Sequence, residues 1–298
     1  MHILTFDVED WFHLLEHDET ANELQWHAYE SRVARNAAII LECLAEADVK
    51  ATFFCLGWIA RTHPDVIRSI HAAGHEIGSH SNSHRLVHQL TPQLFKEDLV
   101  ASISSLQDIT GSKIRYYRSP GFSITHESAW AFSILAECGI EIDSSVFVSR
   151  RAHGGFPAFS ARKPVVVECA GATLKEFPVV PADVGKFDLN FAGGGYFRLM
   201  PYALVRQLMA RSEYVMTYFH PRDFDASQPT VPKLSPYRVF KSYVGLQSSL
   251  LRFKRLIRDF AFVDIAAADS MIDWTNQPSL KLNAQLAQTG GNECSLHG

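Results

Sequence analysis

The chain has 298 residues, room for one α/β barrel or two smaller domains, and 47% hydrophobic with 20% charged residues is ordinary for a soluble globular enzyme. A net charge of −4 without a basic run excludes a nucleic-acid footprint and a membrane-surface patch, and no run of about 18 apolar residues marks a membrane span. Cys43, Cys55, Cys138, Cys169 and Cys294 are scattered and include no C-x-x-C, which argues against a disulfide framework or zinc knot and for a reducing compartment.

Met1 to Asp7 shows no charged segment leading into a long apolar one, so no signal peptide and a cytoplasmic location are expected. His2 to Val8 reads as a buried strand, with Ile3, Leu4 and Phe6 apolar and β-prone. It ends in Asp7, Glu9 and Asp10, set among Phe6, Trp11 and Phe12. Three acids at a strand tip repel one another unless something positive sits there. Residues 29–47 carry a helical stripe of Val33, Ala37, Ile40, Leu41 and Leu44. A second strand, Val49 to Gly57, precedes a helix over 59–72 that Gly74 stops. The third strand, His75 to Gly78, delivers His80 and His84. At this spacing two imidazoles share one face of a helical turn and converge on one metal ion, with small polar Ser81, Asn82 and Ser83 between them.

Thr91 and Pro92 start a helix that runs to about Thr110 and stops at Gly111. The strand Lys113 to Tyr117 delivers Arg118-Ser119-Pro120-Gly121-Phe122, and after a helix over 125–138 the strand Ile140 to Ile142 delivers Asp143. Such alternation predicts βαβ units and a parallel sheet. Asp7, His80, Arg118 and Asp143 all fall just past strand ends, the rim where parallel barrels bind ligands. Residues 144–200 are less regular. They hold β-like pieces (Val165 to Glu168, Thr173 to Phe177) and Gly193-Gly194-Gly195, which reads as a turn rather than a nucleotide loop. A helix from Pro201 to about Arg211 precedes the strand Tyr214 to Phe219, which ends at His220, held extended by Pro221. A long helix over 236–259 and a last strand, Ala261 to Ile265, complete a single catalytic domain over 1–274. The polar tail, 275–298, is expected to be disordered.

Taken singly, Arg118, Asp143 and His220 read as surface, capping and structural residues. Their joint placement at strand ends reads differently. In order, Thr5-Phe6-Asp7, His80-Ser81-Asn82-Ser83-His84, Arg118-Ser119-Pro120-Gly121 and Phe219-His220 resemble the polysaccharide deacetylase family (carbohydrate esterase family four), over about residues 2–265. Asp7-Val8-Glu9-Asp10-Trp11-Phe12, Asp143-Ser144-Ser145-Val146-Phe147 and Tyr218-Phe219-His220-Pro221 look like the subgroup tied to bacterial exopolysaccharide or surface-glycan gene clusters. The resemblance implies a distorted (β/α)7-type barrel that hydrolyses N-acetyl groups of amino sugars. It implies Asp7 as general base, His80 and His84 as metal ligands, Arg118 orienting the base, and His220 as general acid.

The chemistry agrees with these roles. An amide carbonyl is a poor electrophile that a divalent metal polarises. The oxyanion needs donors, for which a backbone N–H near Phe122 is a candidate, and the leaving amine needs a proton. Asp143 is expected to hold Arg118 in turn. One departure stands out: the common family motif has two adjacent acids, the second binding metal, whereas Val8 follows Asp7 here. Strand alternation puts Glu9 on Asp7's face, and a bulge would put Asp10 there instead, so Glu9 is the favoured third ligand and Asp10 its competitor. Zinc suits nitrogen and oxygen donors, and cobalt, nickel and iron also do.

Trp11, Phe12, Trp58, Phe122, Tyr196 and Phe197 are candidates for a sugar-stacking platform, although most read as core. His13, His17, His63, His71, His88 and His126 read as packing or solvated residues. The expected partner is an N-acetylated glycan or amino-sugar precursor. Two alternatives remain: the same metal chemistry on a small non-sugar amide, in a lidded pocket rather than an open groove, and a glycan-binding protein without catalysis.

Overall fold

The computed structural model describes residues 1–185 and 187–283. Its strands are β1 (His2–Ile3), β2 (Thr5–Val8), β3 (Thr52–Cys55), β4 (Glu76–Ser79), β5 (Tyr116–Tyr117), β6 (Ile142–Asp143), β7 (Val165–Cys169), β8 (Ala172–Glu176), β9 (Ala182–Val184), β10 (Phe187–Leu189), β11 (Val215–Met216) and β12 (Ser279–Leu282). β2, β3, β4, β5, β6 and β8 lie side by side and parallel, and β7 folds back antiparallel on β8. Parallel neighbours need helical crossovers, which in sequence order cover one face of the sheet, while a second cluster that includes Ile3, Phe54, Tyr116 and Ile142 fills the other, so β2 and β3 are buried along their whole length. Phe6 stacks on Phe53 at 4.8 Å between these two strands.

At the other edge β1 pairs in parallel with β11. The Asp7 N–H donates to the Phe219 carbonyl (2.7 Å) and the Phe219 N–H to the Thr5 carbonyl (3.1 Å). Residues 2–8 are therefore held between β3 and the segment 215–219. The result is the mixed α/β, parallel-sheet architecture, curved like a barrel, but its sheet does not close among the described residues. β7 caps the β8 edge, and no ladder joins that edge to 215–219. No described helix is long and apolar enough to cross a membrane.

Several predicted elements differ for local reasons. The helix over 59–72 is two helices, Gly57–Thr62 and Pro64–Ala72, because Pro64 has no N–H to continue the first and starts the second. The helix over 29–47 begins at Val33, and that over 125–138 contracts to Ala131–Glu137. The long helix over 236–259 breaks into Pro236–Tyr243 and Leu246–Asp259 at Gly245, which has φ 72° and packs where a Cβ would approach the Arg198 carbonyl. The last strand reduces to one bridge, Ile3 to Val263, before Asp264 caps the helix Ile265–Ser270. Gly193 is extended and lies against Tyr218, where any side chain would strike the Tyr218 carbonyl, and Gly194–Leu199 forms a short helix rather than a plain turn.

The expected disordered tail is corrected in part. β12 adds in parallel to the open edge of β7, with Leu280 and Leu282 packed on the core. The remainder of that expectation, 284–298, lies outside the described residues.

Candidate active site

β2 ends by turning Glu9 back, its N–H donating to the Asp7 carbonyl at 3.0 Å. Asp7 and Glu9 face the same interior and Asp10 does not. The Asp10 carboxylate accepts from the N–H groups of Arg32 (3.0 Å) and Val33 (3.3 Å) and from the Ser31 hydroxyl, at the N-terminus of the helix Val33–Ala47. Those unpaired N–H groups and the positive helix end account for its position. Asp10 thus leaves the metal-ligand set, and Glu9 is the carboxylate that meets the histidines.

His80 follows β4, and its Nδ1 lies 2.8 Å from the Arg118 carbonyl. A carbonyl only accepts, so Nδ1 carries the proton and Nε2 presents a lone pair. That Nε2 is 3.0 Å from Glu9 Oε1, and His84 Nε2 is 2.8 Å from the same oxygen. All three side chains are buried, with their donor atoms within 4.8 Å of one another. A lone pair facing a buried carboxylate is repulsive unless a cation lies between them. One carboxylate and two imidazoles form a donor set that fits a divalent ion and leaves positions open. Burial alone would raise the Glu9 pKa, yet the adjacent His84 and His220 hold it well below the ordinary carboxylate range.

The two histidines do not share a helical turn, as their spacing suggested. Ser81 (φ 68°) and His84 (φ 55°) are left-handed, and the segment is a loop. It is pinned by Asp98 from the helix Pro92–Thr110, which accepts the N–H groups of Asn82 (2.7 Å) and Ser83 (3.1 Å). The Ser81 hydroxyl accepts the His84 N–H at 3.1 Å. The small polar residues serve this turn.

Arg118 is fully buried. Its Nη1 donates to Asp7 Oδ1 (2.8 Å) and Thr5 Oγ1 (2.6 Å), its Nη2 to Ser144 Oγ (2.9 Å) and its Nε to the Ser144 carbonyl (3.2 Å). Asp143, expected to hold Arg118, makes no hydrogen bond to it. Its carboxylate accepts from the Ser145 N–H (3.0 Å) and hydroxyl (2.6 Å), and it lies in register with Glu176 across β6 and β8. Burial raises the proton affinity of both acids, and Glu176 is pushed well above the ordinary range. Ser144, on the opposite side of the chain from Asp143, is the one that reaches Arg118.

His220 Nδ1 lies 3.1 Å from Asp223 Oδ2, which also accepts the His220 N–H (2.9 Å), and Asp223 faces Arg198 Nε at 3.1 Å. His220 Nε2 is left facing Asp7 Oδ2 and Glu9 Oε1, both at 3.9 Å. Burial would lower the imidazole pKa, but Glu9, Asp223 and Asp7 together raise it to about 9. Neither Asp223 nor Arg198 was singled out from sequence. An acid three residues beyond a pre-proline histidine was the available signal, while Arg198 comes from another element and left none.

Other expected residues fall elsewhere. Trp11 is buried outside the cavity, its indole N–H on the Glu30 carbonyl (3.0 Å) and its ring against Phe12 and Tyr29. It is core, not a sugar platform. Phe122 does line the cavity, but its own N–H already donates to the Ser119 carbonyl (3.2 Å), so Phe122 is not itself the free oxyanion donor. His13, set aside from sequence as a packing residue, also lines the cavity. Its Nδ1 accepts the Asp10 N–H (3.0 Å), which leaves a buried Nε2–H with no partner, on a ring 6.0 Å from that of His84.

The cavity holds about 690 Å³. Asp7, Glu9, His80, His84 and His220 line it, and the exposed Tyr237 and Phe240 line its mouth. It thus brings a trio of donors that fits a divalent ion, a carboxylate with one oxygen uncommitted, and an imidazole of raised proton affinity around one open space.

A family model described as polysaccharide deacetylase matches residues 17–141, and one described as a domain of unknown function (DUF3473) matches 144–269. A peptidoglycan-N-acetylglucosamine deacetylase of Bacillus cereus is 30% identical over 93 residues, 31% of this chain and 34% of that protein. A chitooligosaccharide deacetylase of Rhizobium leguminosarum bv. trifolii is 47% identical over 45 residues, 15% of this chain and 21% of that one. The chain therefore spans only about a third and a fifth of the length of these relatives. The crystal structure of a putative polysaccharide deacetylase from Mycobacterium smegmatis shares the fold with a TM-score of 0.62 at 20% identity, over 93% of this chain and 91% of that one.

Proposed function

We propose that this chain, which belongs to the polysaccharide deacetylase family, is a metal-dependent hydrolase that removes N-acetyl groups from amino sugars of a bacterial surface glycan, exopolysaccharide or its precursor. The observation that carries this reading is the convergence of Asp7, the Glu9–His80–His84 trio and His220 on one open cavity. Glu9, His80 and His84 would hold a divalent ion, zinc by donor chemistry, whose Lewis acidity polarises the amide carbonyl and acidifies water. Arg118 occupies Asp7 Oδ1, which aims the carboxylate and leaves Oδ2 to take the proton of the attacking water. His220 gives its Nε2 proton to the amine nitrogen as the C–N bond breaks, releasing acetate. Asp7 then holds a proton 3.9 Å from the deprotonated His220, a short return path.

The open mouth with exposed aromatics supports a glycan over a small amide. The free cysteines Cys43, Cys55, Cys138 and Cys169 fit action in a reducing compartment, before export.

The test is acetate release from N-acetylglucosamine oligomers. Metal-stripped protein is expected to release none, and added zinc or cobalt to restore release. His80→Ala is expected to bind less than one metal per chain and to stay inactive. Stoichiometric metal without release from any N-acetyl sugar would shift the reading to the small amide. No metal binding at all would leave the non-catalytic glycan binder.

The Asp223→Asn variant gives a second, independent readout. Its carboxylate helps raise the His220 pKa to about 9, so its loss lowers that pKa. The acid form is then lost at lower pH, and the alkaline limb of the kcat/KM profile is expected to move down. An unmoved limb would remove His220 from the acid role.

A further inference from the structure

The carboxylates on the cavity floor are accounted for: Asp7 by Arg118, Glu9 by the cation that it would share with two histidines, Asp223 by His220 and Arg198. The cations on the cavity walls are not. Arg222 is only 8% exposed, yet no carboxylate lies within ion-pair distance among the described residues. Its Nε donates to Gln228 Oε1 (3.1 Å), and its Nη2 has no partner. Arg151 lies over the Phe147 ring at 4.3 Å and near Tyr196 at 5.4 Å, also without an ion pair. Arg238 donates only to the carbonyls of Glu16 (2.8 Å) and Leu15 (2.6 Å). Arg150 and Lys241, exposed at the same mouth, have no ion pair among the described residues. Glu16 lies 2.8 Å from His153 Nδ1.

Among the described residues these five cations around one cavity have no ion pair, which runs against a chain of net charge −4. A buried guanidinium without a counter-ion is costly, and that cost is offset when an anion arrives. We propose that the natural substrate is anionic: the N-acetyl sugar, or the unit next to it, carries a carboxylate or phosphate that Arg222 and Arg151 receive. A guanidinium fork matches both groups. Arg150, Arg238 and Lys241 draw the anion towards the mouth, and the exposed faces of Tyr237 and Phe240 suit pyranose rings. This inference rests on the deacetylase reading of the same site and names its substrate class.

The test compares three probes on the zinc-loaded protein, by calorimetric binding and by acetate release. The probes are neutral N-acetylchitotetraose, a hyaluronan tetrasaccharide carrying carboxylates, and uridine diphosphate N-acetylglucosamine carrying phosphates. One anionic probe is expected to bind at least about tenfold tighter than the neutral one. The preference is expected to shrink as salt rises from about 50 to 500 mM. Which probe is preferred separates carboxylate from phosphate. Arg222→Gln and Arg151→Gln are each expected to reduce the preference, and Arg222→Lys to retain part of it. If Arg222→Gln does not fold, Arg150→Gln with Lys241→Gln on the exposed rim is expected to weaken the salt dependence. Equal binding of neutral and anionic probes, indifferent to salt and to these variants, would overturn the inference and leave the deacetylase reading intact. Anionic preference without acetate release from any probe would instead sink the deacetylase reading and keep the anion site.

Discussion

Asp7→Asn is expected to lower kcat by about 10²- to 10⁴-fold, the usual worth of a positioned general base, with metal stoichiometry unchanged. The substitution is nearly isosteric. An amide oxygen can still accept from Arg118 Nη1, so the buried guanidinium keeps an acceptor. The Glu9–His80–His84 trio does not include Asp7, so metal content is expected to stay at the wild-type value. What is lost is the oxygen that takes the proton. The check is kcat for acetate release beside metal analysis of the same preparation. A loss below about tenfold would assign the proton to another group.

Arg118→Leu is expected to cost about 3–5 kcal/mol of stability as well as activity, the range for breaking a buried ion pair from one side. The side chain is fully buried and serves Asp7, Thr5 and both the hydroxyl and carbonyl of Ser144. Its removal leaves the buried Asp7 carboxylate with only His220 Nε2, at 3.9 Å, to face it. The double variant Asp7→Asn with Arg118→Leu removes that charge too, and is expected to recover part of the loss. Urea unfolding of the set gives the coupling. Strict additivity would mean that the pair has no structural role.

The strand ends were legible because parallel strands are buried on both faces and read as apolar runs. Such runs deliver Asp7, His80, Arg118 and His220 to one side of the sheet. The alternation expected of β2 also favours Glu9 over Asp10, although β2 ends at Val8 and it is the turn to the Asp7 carbonyl that sets Glu9 in place. Which polar group meets which across elements was not legible. Asp143 and Ser144 are neighbours in sequence, and only the pairing of β6 with β8 decides that Ser144 reaches Arg118 while Asp143 meets Glu176. Spacing placed His80 and His84 on a helix, but Asp98, in a helix further along the chain, fixes them in a left-handed loop. Asp10 and Trp11 looked like site residues because they sit beside Glu9. The helix end at Val33 and the packing of Tyr29 claim them instead.

The insertion of residues 2–8 between β3 and 215–219 sets an order on assembly. Thr5 and Thr217, bonded to each other across this seam, are 212 residues apart. At ribosomal rates of about 5–20 residues per second, roughly 10–40 s pass between the synthesis of one and the other. Once Thr52–Cys55 is made, β2 has its β3 neighbour available but keeps an open outer edge, with the N–H of Asp7 unmatched. The residue proposed as catalytic base therefore lies on a seam that closes late, before only the Val263 bridge and β12, and a nascent chain exposes a pairing-competent edge until the segment ending at Phe219 emerges.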